Sequence, residues 1–323
     1  MKKWPLGFIG DDPQKKPARS PLIISASRAT DIPAFYGDWL VNQFDQGFVN
    51  WINPYNRKQN PIDLRNCRLI IFWTKNAAPF LKYLSYFDSK GINYYFLHTL
   101  NNYETEGYEP GVPPLKKRIR TFKMLSDLIG PEKIIWRFDP ILLSDKLTLK
   151  ELLLRIRQLS KELSPYTRRL IISFIKIERY KSVKRNIIKT SFPVRELNHN
   201  EKIFTAESIQ HIFSNSSEKP VTVQTCGTAE DFSSFGINHG SCIDYNLITD
   251  LFHNDTRLMD FLEYTPSLFD NDNTMPSALK ASGQQPFCNC LQSADIGAYN
   301  SCPHHCVYCY ANHTPDIIKK SLD

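Results

Sequence analysis

The stretch KIIWRFDPILLSDKLTLKELLLRIRQLSKELSPYTRRLIISFI, residues 133–175, decides the fold because it contains a complete strand–helix–strand unit. Its helix is expected over residues 148–163, where Thr148 and Glu151 have the spacing of a capping box and leucine and isoleucine recur at helical intervals. Short apolar runs at 133–138 and 169–175 flank this helix. Two buried strands joined by an amphipathic helix are typical of parallel pairing.

The same alternation continues in both directions along the chain. Further apolar, β-rich runs occur at residues 22–27, 68–74, 94–99 and 221–225. A second clear helix is expected from Leu115 to about Ile129. Near-continuous apolar strands alternating with amphipathic helices predict an α/β protein whose helices cover parallel strands. The pattern is compatible with a barrel and with a doubly wound sheet.

Polar residues stand at the carboxyl ends of most of the predicted strands. They are Ser27, Arg28 and Asp31; Thr74, Lys75 and Asn76; His98 and Thr99; Arg137 and Asp139; Lys176; and Cys226. Barrels and doubly wound sheets both carry their functional loops at this edge. We therefore expect one shared cleft there, although each of these residues could instead cap a neighbouring helix or turn.

Composition favours a cytoplasmic globular protein. The 323 residues, 41% of them hydrophobic, are enough for one large core or two small ones. The basic N-terminal segment has no apolar run of signal-peptide length, and no stretch approaches a membrane span. Lysines and arginines cluster at 116–123 and 179–189, where they would form solvated helix faces or contact nucleic acid.

The distribution of the eight cysteines indicates metal binding. Cytoplasmic thiols stay reduced, so structural disulfides are not expected. Cys67 stands alone, whereas the other seven cysteines follow residue 225. Cys302, Cys306 and Cys309 have C-x3-C-x2-C spacing and form the three-cysteine loop. Three thiolates leave one iron of a [4Fe–4S] cluster open to a small ligand. The alternative is a zinc site completed by His304, His305 or His313, because structural zinc takes four closed ligands.

The remaining cysteines form a second candidate ligand group, here called the four-cysteine set. Its members are Cys226, Cys242, Cys288 and Cys290. Four thiolates suit a closed site, which would be a second [4Fe–4S] cluster or a structural zinc. Ordinary free thiols, one of them serving as a hydrogen-atom donor, are the other interpretation.

The string SCPHHCVYCYAN (301–312) resembles the cluster-binding motif of the radical S-adenosylmethionine superfamily, and its YCYAN continuation resembles the spore photoproduct lyase-like branch. That motif normally follows the first barrel strand, whereas here it is C-terminal. The resemblance therefore implies a circularly permuted partial (βα) barrel, with a barrel core at residues 1–225 and a cysteine-rich segment at 226–323 that completes the barrel and binds the clusters. The whole chain also resembles the uncharacterised family catalogued as domain of unknown function 1848.

This resemblance implies an enzyme that generates a 5′-deoxyadenosyl radical from S-adenosylmethionine at a [4Fe–4S] cluster and modifies an unidentified substrate, with nucleic acid as one candidate. It implies that the backbone around Tyr308 contacts the adenine of the cofactor. Asp31 would meet the methionine ammonium and Arg137 the methionine carboxylate, and Lys75 would reach the ribose or the substrate. Their structural alternatives are a helix cap for Asp31, an ion pair with Asp139 for Arg137, and a surface cation for Lys75. A flavodoxin or ferredoxin is the expected electron donor. The competing function is a non-enzymatic zinc or iron–sulfur module that binds nucleic acid.

Overall fold

The computed structural model describes residues 4–9, 16–53, 56–214, 220–265, 274–282 and 287–313. The strands in these ranges are β1 (Leu6–Ile9), β2 (Lys16–Arg19), β3 (Ile23–Ala26), β4 (Phe48–Ile52), β5 (Gln59–Asp63), β6 (Leu69–Thr74), β7 (Asn93–Thr99), β8 (Ile134–Ile141), β9 (Arg169–Phe174), β10 (Thr222–Thr225), β11 (Asn238–His239) and β12 (Ala294–Asp295). The α-helices are α1 (Ile32–Phe35), α2 (Gly37–Gln46), α3 (Leu84–Ser89), α4 (Leu115–Ile129), α5 (Leu149–Leu163), α6 (Lys181–Ile187), α7 (His199–Ser214), α8 (Tyr245–Phe252) and α9 (Thr256–Leu262).

Every strand and helix predicted from the sequence is present. The six apolar runs correspond to β3, β6, β7, β8, β9 and β10, and the two expected helices are α4 and α5. Thr148 caps α5 by accepting a hydrogen bond from the Glu151 amide at 3.3 Å. The Glu151 carboxylate pairs with Arg155 at 2.8 Å, one turn along the helix. None of the helices in the described ranges is long and apolar enough to cross a membrane.

The large sheet is wound in one direction. Its order is β11-β10-β9-β8-β7-β6-β3-β12, and all of its neighbouring strands are parallel. From β3 to β11 each new strand is added on the same side, so right-handed crossovers place the connecting helices on one face. A doubly wound sheet would instead reverse its order at a switch point. The structure is therefore α/β with a barrel-like parallel sheet.

The two faces of the sheet have separate hydrophobic cores. The larger core lies under α2 to α7 and includes Phe72, Phe96 and Trp136 from the sheet. The second core contains Ile71, Tyr95 and the apolar sides of α8 and α9. The chain thus returns from the β11 edge to the β12 edge across the second face. A smaller sheet has four strands in the order β1-β2-β5-β4. Two of them, β1 and β2, precede β3 in the chain, and the other two lie between β3 and β6.

Asp295 joins the C-terminal strand β12 to β3. Its carboxylate accepts hydrogen bonds from the hydroxyls of Ser25 at 3.1 Å and Ser27 at 2.7 Å. It also accepts from the backbone amides of Arg28 at 2.8 Å and Gly297 at 3.0 Å. Four donors use the whole acceptor capacity of one carboxylate. Because β12 itself has only two residues, these bonds fix where the cysteine-bearing segment leaves the sheet.

Replacing Asp295 by Ala should weaken this attachment. Hydrogen bonds to a charged group contribute roughly 1.5–3 kcal/mol each, so we expect a loss of about 2 kcal/mol or more in the free energy of unfolding. Hydrogen exchange should accelerate first at the Ile296 amide, which donates to the Ser25 carbonyl. Asp231→Ala is the matched control, because that carboxylate serves only an exposed turn at Ser233. Equal exchange rates in the wild-type and Asp295→Ala proteins would contradict this role.

Candidate functional site

The three-cysteine loop lies at the carboxyl edge of the large sheet, directly after β12. Cys306 interacts electrostatically with both Cys302 and Cys309. Tyr36 donates from its hydroxyl to the Ser301 carbonyl, and the indole of Trp51 donates to the Gly297 carbonyl at 3.1 Å. These two hydrogen bonds attach the segment that leads into the three-cysteine loop to Tyr36, which follows α1, and to Trp51 in β4.

The segment after β7 supports this loop from below. Gly111 donates its amide to the His304 carbonyl at 2.9 Å, and the Val307 amide donates to the Tyr108 carbonyl at 3.0 Å. A Cβ at position 111 would lie 2.3 Å from the Pro303 carbonyl oxygen, a contact that only glycine avoids. Loop and support are therefore in direct backbone contact.

The three thiols lie in surroundings that favour their neutral form. Burial raises the pKa of Cys302 to about 12 and raises the pKa values of Cys306 and Cys309. Lys75 opposes this shift at Cys306 and Cys309, as do the amides of Ala311 and Asn312 at Cys309. Thiols of this kind ionise when a metal supplies the missing positive charge.

Asp31 fixes the position of the loop. Its carboxylate caps α1 through the Ala34 amide at 3.0 Å and accepts from the Lys75 amide at 2.7 Å. The same carboxylate lies 2.7 Å from Nε2 of His304, whose Nδ1 faces the Gly111 carbonyl at 3.1 Å. The helix-cap alternative for Asp31 is thus confirmed. Both ring nitrogens of His304 lie within hydrogen-bonding distance of these oxygen atoms, so His304 is not placed to complete a zinc site.

A buried ionic cluster lies beside the loop. Lys75 pairs with Glu109 at 2.8 Å, and Arg118 approaches the other oxygen of Glu109 at 3.5 Å. The Tyr308 hydroxyl donates to Glu109 and accepts from Lys75 at 3.0 Å, and Asn101 donates to both Glu109 and Tyr308. The side chain of Lys75 is only 15% exposed, so the surface-cation alternative is wrong.

Glu109 is the residue that sequence reasoning missed. Burial would raise its pKa, but Lys75 and Arg118 outweigh that effect and lower the pKa below its usual value. Burial likewise opposes the charge of Lys75, whose pKa is nevertheless raised by Glu109 and Cys306. Glu109 belongs to no motif and lies in an irregular segment between β7 and α4. Only its tertiary contacts identify it.

Arg137 lies on the opposite face of the sheet from this cluster. It forms an ion pair with Asp139, as its structural alternative predicted, and the Ser173 hydroxyl donates to the same carboxylate. Its guanidinium carbon is 4.9 Å from the centroid of the Trp73 ring, and that of Arg28 is 5.2 Å from the same centroid. The strand-end residues therefore divide between two sides of the edge rather than lining a single surface.

The four-cysteine set is assembled from distant segments of the chain. Sγ of Cys226 lies 3.5 Å from Sγ of Cys242. Cys242 also shares a thiol hydrogen bond with Cys290, which shares another with Cys288. Cys226 follows β10, and Cys242 precedes α8. Cys288 and Cys290 both precede β12, so the set bridges both ends of the sheet.

Two arginines make this set electropositive. Hydrogen bonds from Cys242 and Cys288, together with Arg28, lower the pKa of Cys290. A hydrogen bond from Cys242, together with Arg137, lowers the pKa of Cys226. The pKa values of Cys242 and Cys288 are raised, because these thiols are the donors in the same hydrogen bonds. Two pKa values are thus lowered in the four-cysteine set, whereas all three are raised in the three-cysteine loop.

The donor chemistry of both groups fits a soft metal or an iron–sulfur cluster. Within the described ranges, no three or more His, Cys, Asp or Glu side chains already stand in a metal-binding arrangement. The sulfurs of the four-cysteine set hydrogen-bond to one another instead, as neutral thiols and thiolates do. A groove of about 730 Å³ lies elsewhere, between α5 and α7, and is lined by residues such as Leu154, Arg157 and Ile212. It contains no cysteine.

Comparison with known proteins identifies one family model. A model described as Domain of unknown function (DUF1848) matches residues 23–311, from the first strand of the large sheet to the end of the three-cysteine loop. No curated protein and no solved structure matches the chain.

Replacing Glu109 by Gln should strongly destabilise the protein, because it leaves Lys75 and Arg118 buried without their shared counter-charge. Breaking a buried ion pair in this way costs about 3–5 kcal/mol. The control Glu178→Gln removes an exposed pair with Lys184 and should cost at most about 1 kcal/mol. Urea unfolding at neutral pH measures the free energy of unfolding of both variants.

The pH dependence gives a second check on the same variant. Because the folded-state pKa of Glu109 is lowered, its stabilisation is present above the unfolded pKa and is lost as pH falls. The stability gap between wild type and Glu109→Gln should therefore narrow below about pH 4. A gap independent of pH would show that ionisation of Glu109 is not its source.

Proposed function

The chain belongs to the DUF1848 family of domains of unknown function, and from its site we propose that it is a radical S-adenosylmethionine enzyme. In this proposal Cys302, Cys306 and Cys309 hold a [4Fe–4S] cluster whose open iron binds the cofactor. The cluster would supply one electron to cleave a carbon–sulfur bond of S-adenosylmethionine. The family name itself brings no activity.

The observation that carries the proposal is the position of β12. This C-terminal strand pairs in parallel with β3, and the three-cysteine loop follows its carboxyl end. Active sites of parallel barrels lie at this edge. A partial barrel whose first strand had been moved to the end of the chain would have this strand order, which supports the circular permutation that the motif suggests.

The roles of the surrounding residues follow from their contacts. Asp31 and His304 would hold the loop in one conformation. Lys75 would supply positive charge next to Cys306 and Cys309, and Tyr308 would set the wall of the cofactor site. The carboxylate of Asp31 is already engaged by Ala34, Lys75 and His304, which favours a positioning role over direct contact with a methionine ammonium.

We assign the four-cysteine set to a second metal centre. Its four sulfurs suit a closed site, and the two nearby arginines would balance the negative charge of four thiolates. A second [4Fe–4S] cluster would serve electron transfer, with a flavodoxin or ferredoxin as the donor, whereas zinc would fix the C-terminal segment to the sheet.

The charge distribution gives less support to a nucleic-acid-binding module. Of the basic residues on α4, Arg118 is 1% exposed and faces Glu109, and Lys123 pairs with Glu162. The helix therefore does not present its basic residues as one free face to a phosphate backbone. Nucleic acid remains a candidate substrate in the enzyme proposal.

Anaerobically reconstituted protein should bind about four iron atoms at the three-cysteine loop. The triple variant Cys302→Ala, Cys306→Ala and Cys309→Ala should lose these atoms and keep any metal held by the four-cysteine set. Iron, sulfide and zinc analysis provides the measurement, and Cys67→Ala, which removes a buried cysteine outside both groups, is the control. Full iron content in a folded triple variant would refute the assignment, and a variant without any metal would refute the second centre.

Reduced protein should cleave S-adenosylmethionine to 5′-deoxyadenosine and methionine, slowly and without substrate. Dithionite supplies the electron, and the adenosyl carbon takes a hydrogen atom from the medium. Chromatography of the products should show formation in wild type and in Cys67→Ala, and none in the triple variant. Protein that holds a reducible cluster yet forms no 5′-deoxyadenosine would shift the assignment to the non-enzymatic module.

A further inference from the structure

Three buried hydrogen-bond donors converge around one indole ring at the carboxyl edge of the sheet. They are Nη2 of Arg28, Nε1 of Trp73 and Nε of Arg137, and none has a hydrogen-bond partner among the residues that the structure describes. Arg28 follows β3, Trp73 lies near the end of β6 and Arg137 lies in β8. Buried polar groups are satisfied in nearly all proteins, so three orphaned donors in one place need an explanation.

The acidic residues near this arginine–tryptophan cluster are already engaged. Asp139 takes the Nη2 group of Arg137 and the Ser173 hydroxyl. Asp295 is near the Arg28 guanidinium, but its carboxylate already accepts four hydrogen bonds, one of them from the Arg28 backbone amide. The sulfurs of Cys242 and Cys290 interact electrostatically with Arg28 but lie beyond hydrogen-bonding distance of its Nη2. The described protein groups therefore leave these donors for a ligand.

The chemistry of the donors defines the ligand. Guanidinium and indole groups donate hydrogen bonds and cannot accept them, so the ligand must supply acceptors. Two guanidiniums match the oxygens of a carboxylate or phosphate group, which arginine binds through paired hydrogen bonds. The side chain of Arg137 is only 11% exposed, which suits a terminal group of a small molecule rather than a polymer backbone.

The cluster also lies between the two cysteine groups. Tyr310, next to Cys309 in the three-cysteine loop, interacts with both Arg28 and Arg137. Arg137 also interacts electrostatically with Cys226 and Cys242 of the four-cysteine set. We propose that Arg28, Trp73 and Arg137 bind a carboxylate or phosphate group of the substrate, which places that substrate between the two centres. This inference rests on the proposed function, and it names the substrate class as small molecules that carry a carboxylate or phosphate group.

Isothermal titration calorimetry of the full chain with inorganic phosphate, at constant ionic strength in chloride, tests the site. Arg28→Gln should weaken binding about tenfold or more, and Trp73→Phe, which keeps an aromatic ring and removes one donor, about threefold. Arg120→Gln on the exposed face of α4 should bind as wild type does. Absent binding, or equal affinity in all four proteins, would overturn the site. Unchanged phosphate affinity with an altered visible spectrum of the metal-loaded Arg28→Gln variant would also overturn it, because the donors would then serve the metal centre.

Competition separates the two sources of an oxyanion. If phosphate and S-adenosylmethionine bind together, the site belongs to the substrate, as proposed. If S-adenosylmethionine displaces phosphate, the cofactor carboxylate occupies the site and the substrate assignment is wrong. Phosphate binding that follows the expected variant pattern in protein that forms no 5′-deoxyadenosine would keep the oxyanion site and remove only the proposed reaction.

Discussion

The parallel pairing of β12 with β3 is the interaction on which the candidate site depends. Two residues of strand are too few to hold a segment in place, and the Asp295 carboxylate supplies the missing attachment through four hydrogen bonds. Because a parallel strand must run in the same direction as its neighbour, the segment after Asp295 has to emerge at the carboxyl edge. The cysteine-bearing loop therefore lies at the carboxyl edge next to β3, although it is about 270 residues from β3 in the sequence.

Buried charge concentrates where the loop meets the sheet. Asp31 with His304, and Glu109 with Lys75 and Arg118, place five ionisable side chains under or beside three thiols. Burying these groups is costly unless each finds its partner. Such networks are weak evidence for stability by themselves, but they fix a single geometry, since any displacement leaves a charge unpaired. The contacts under the loop thus favour one conformation, as the proposed cofactor site would require.

The two cysteine groups differ in electrostatic environment. The three-cysteine loop is surrounded by packed side chains and one lysine, and its thiols resist ionisation without a metal. The four-cysteine set has two arginines close by, and the pKa values of Cys226 and Cys290 are lowered there by hydrogen bonds from neighbouring thiols and by these arginines. Metal binding releases the thiol protons, so its apparent affinity depends on this difference. The same two arginines contact Trp73, which links the four-cysteine set to the proposed oxyanion site.

The sequence by itself determined six strands of the large sheet, the helices α4 and α5 and the spacing of the cysteines, because hydrophobic periodicity and short-range motifs are local properties. It also indicated both groups of cysteines. It could not determine the direction of winding, since a barrel and a doubly wound sheet share the same local pattern. Nor could it separate Arg137 from the ionic cluster around Glu109, because the face on which a strand residue lies depends on register. Glu109 carried no sequence signal, since a buried carboxylate is defined by the charges around it. Only the tertiary structure brought Lys75, Arg118 and Tyr308 to it, and only packing left the donors of Arg28, Trp73 and Arg137 without partners in the part of the chain that the structure describes.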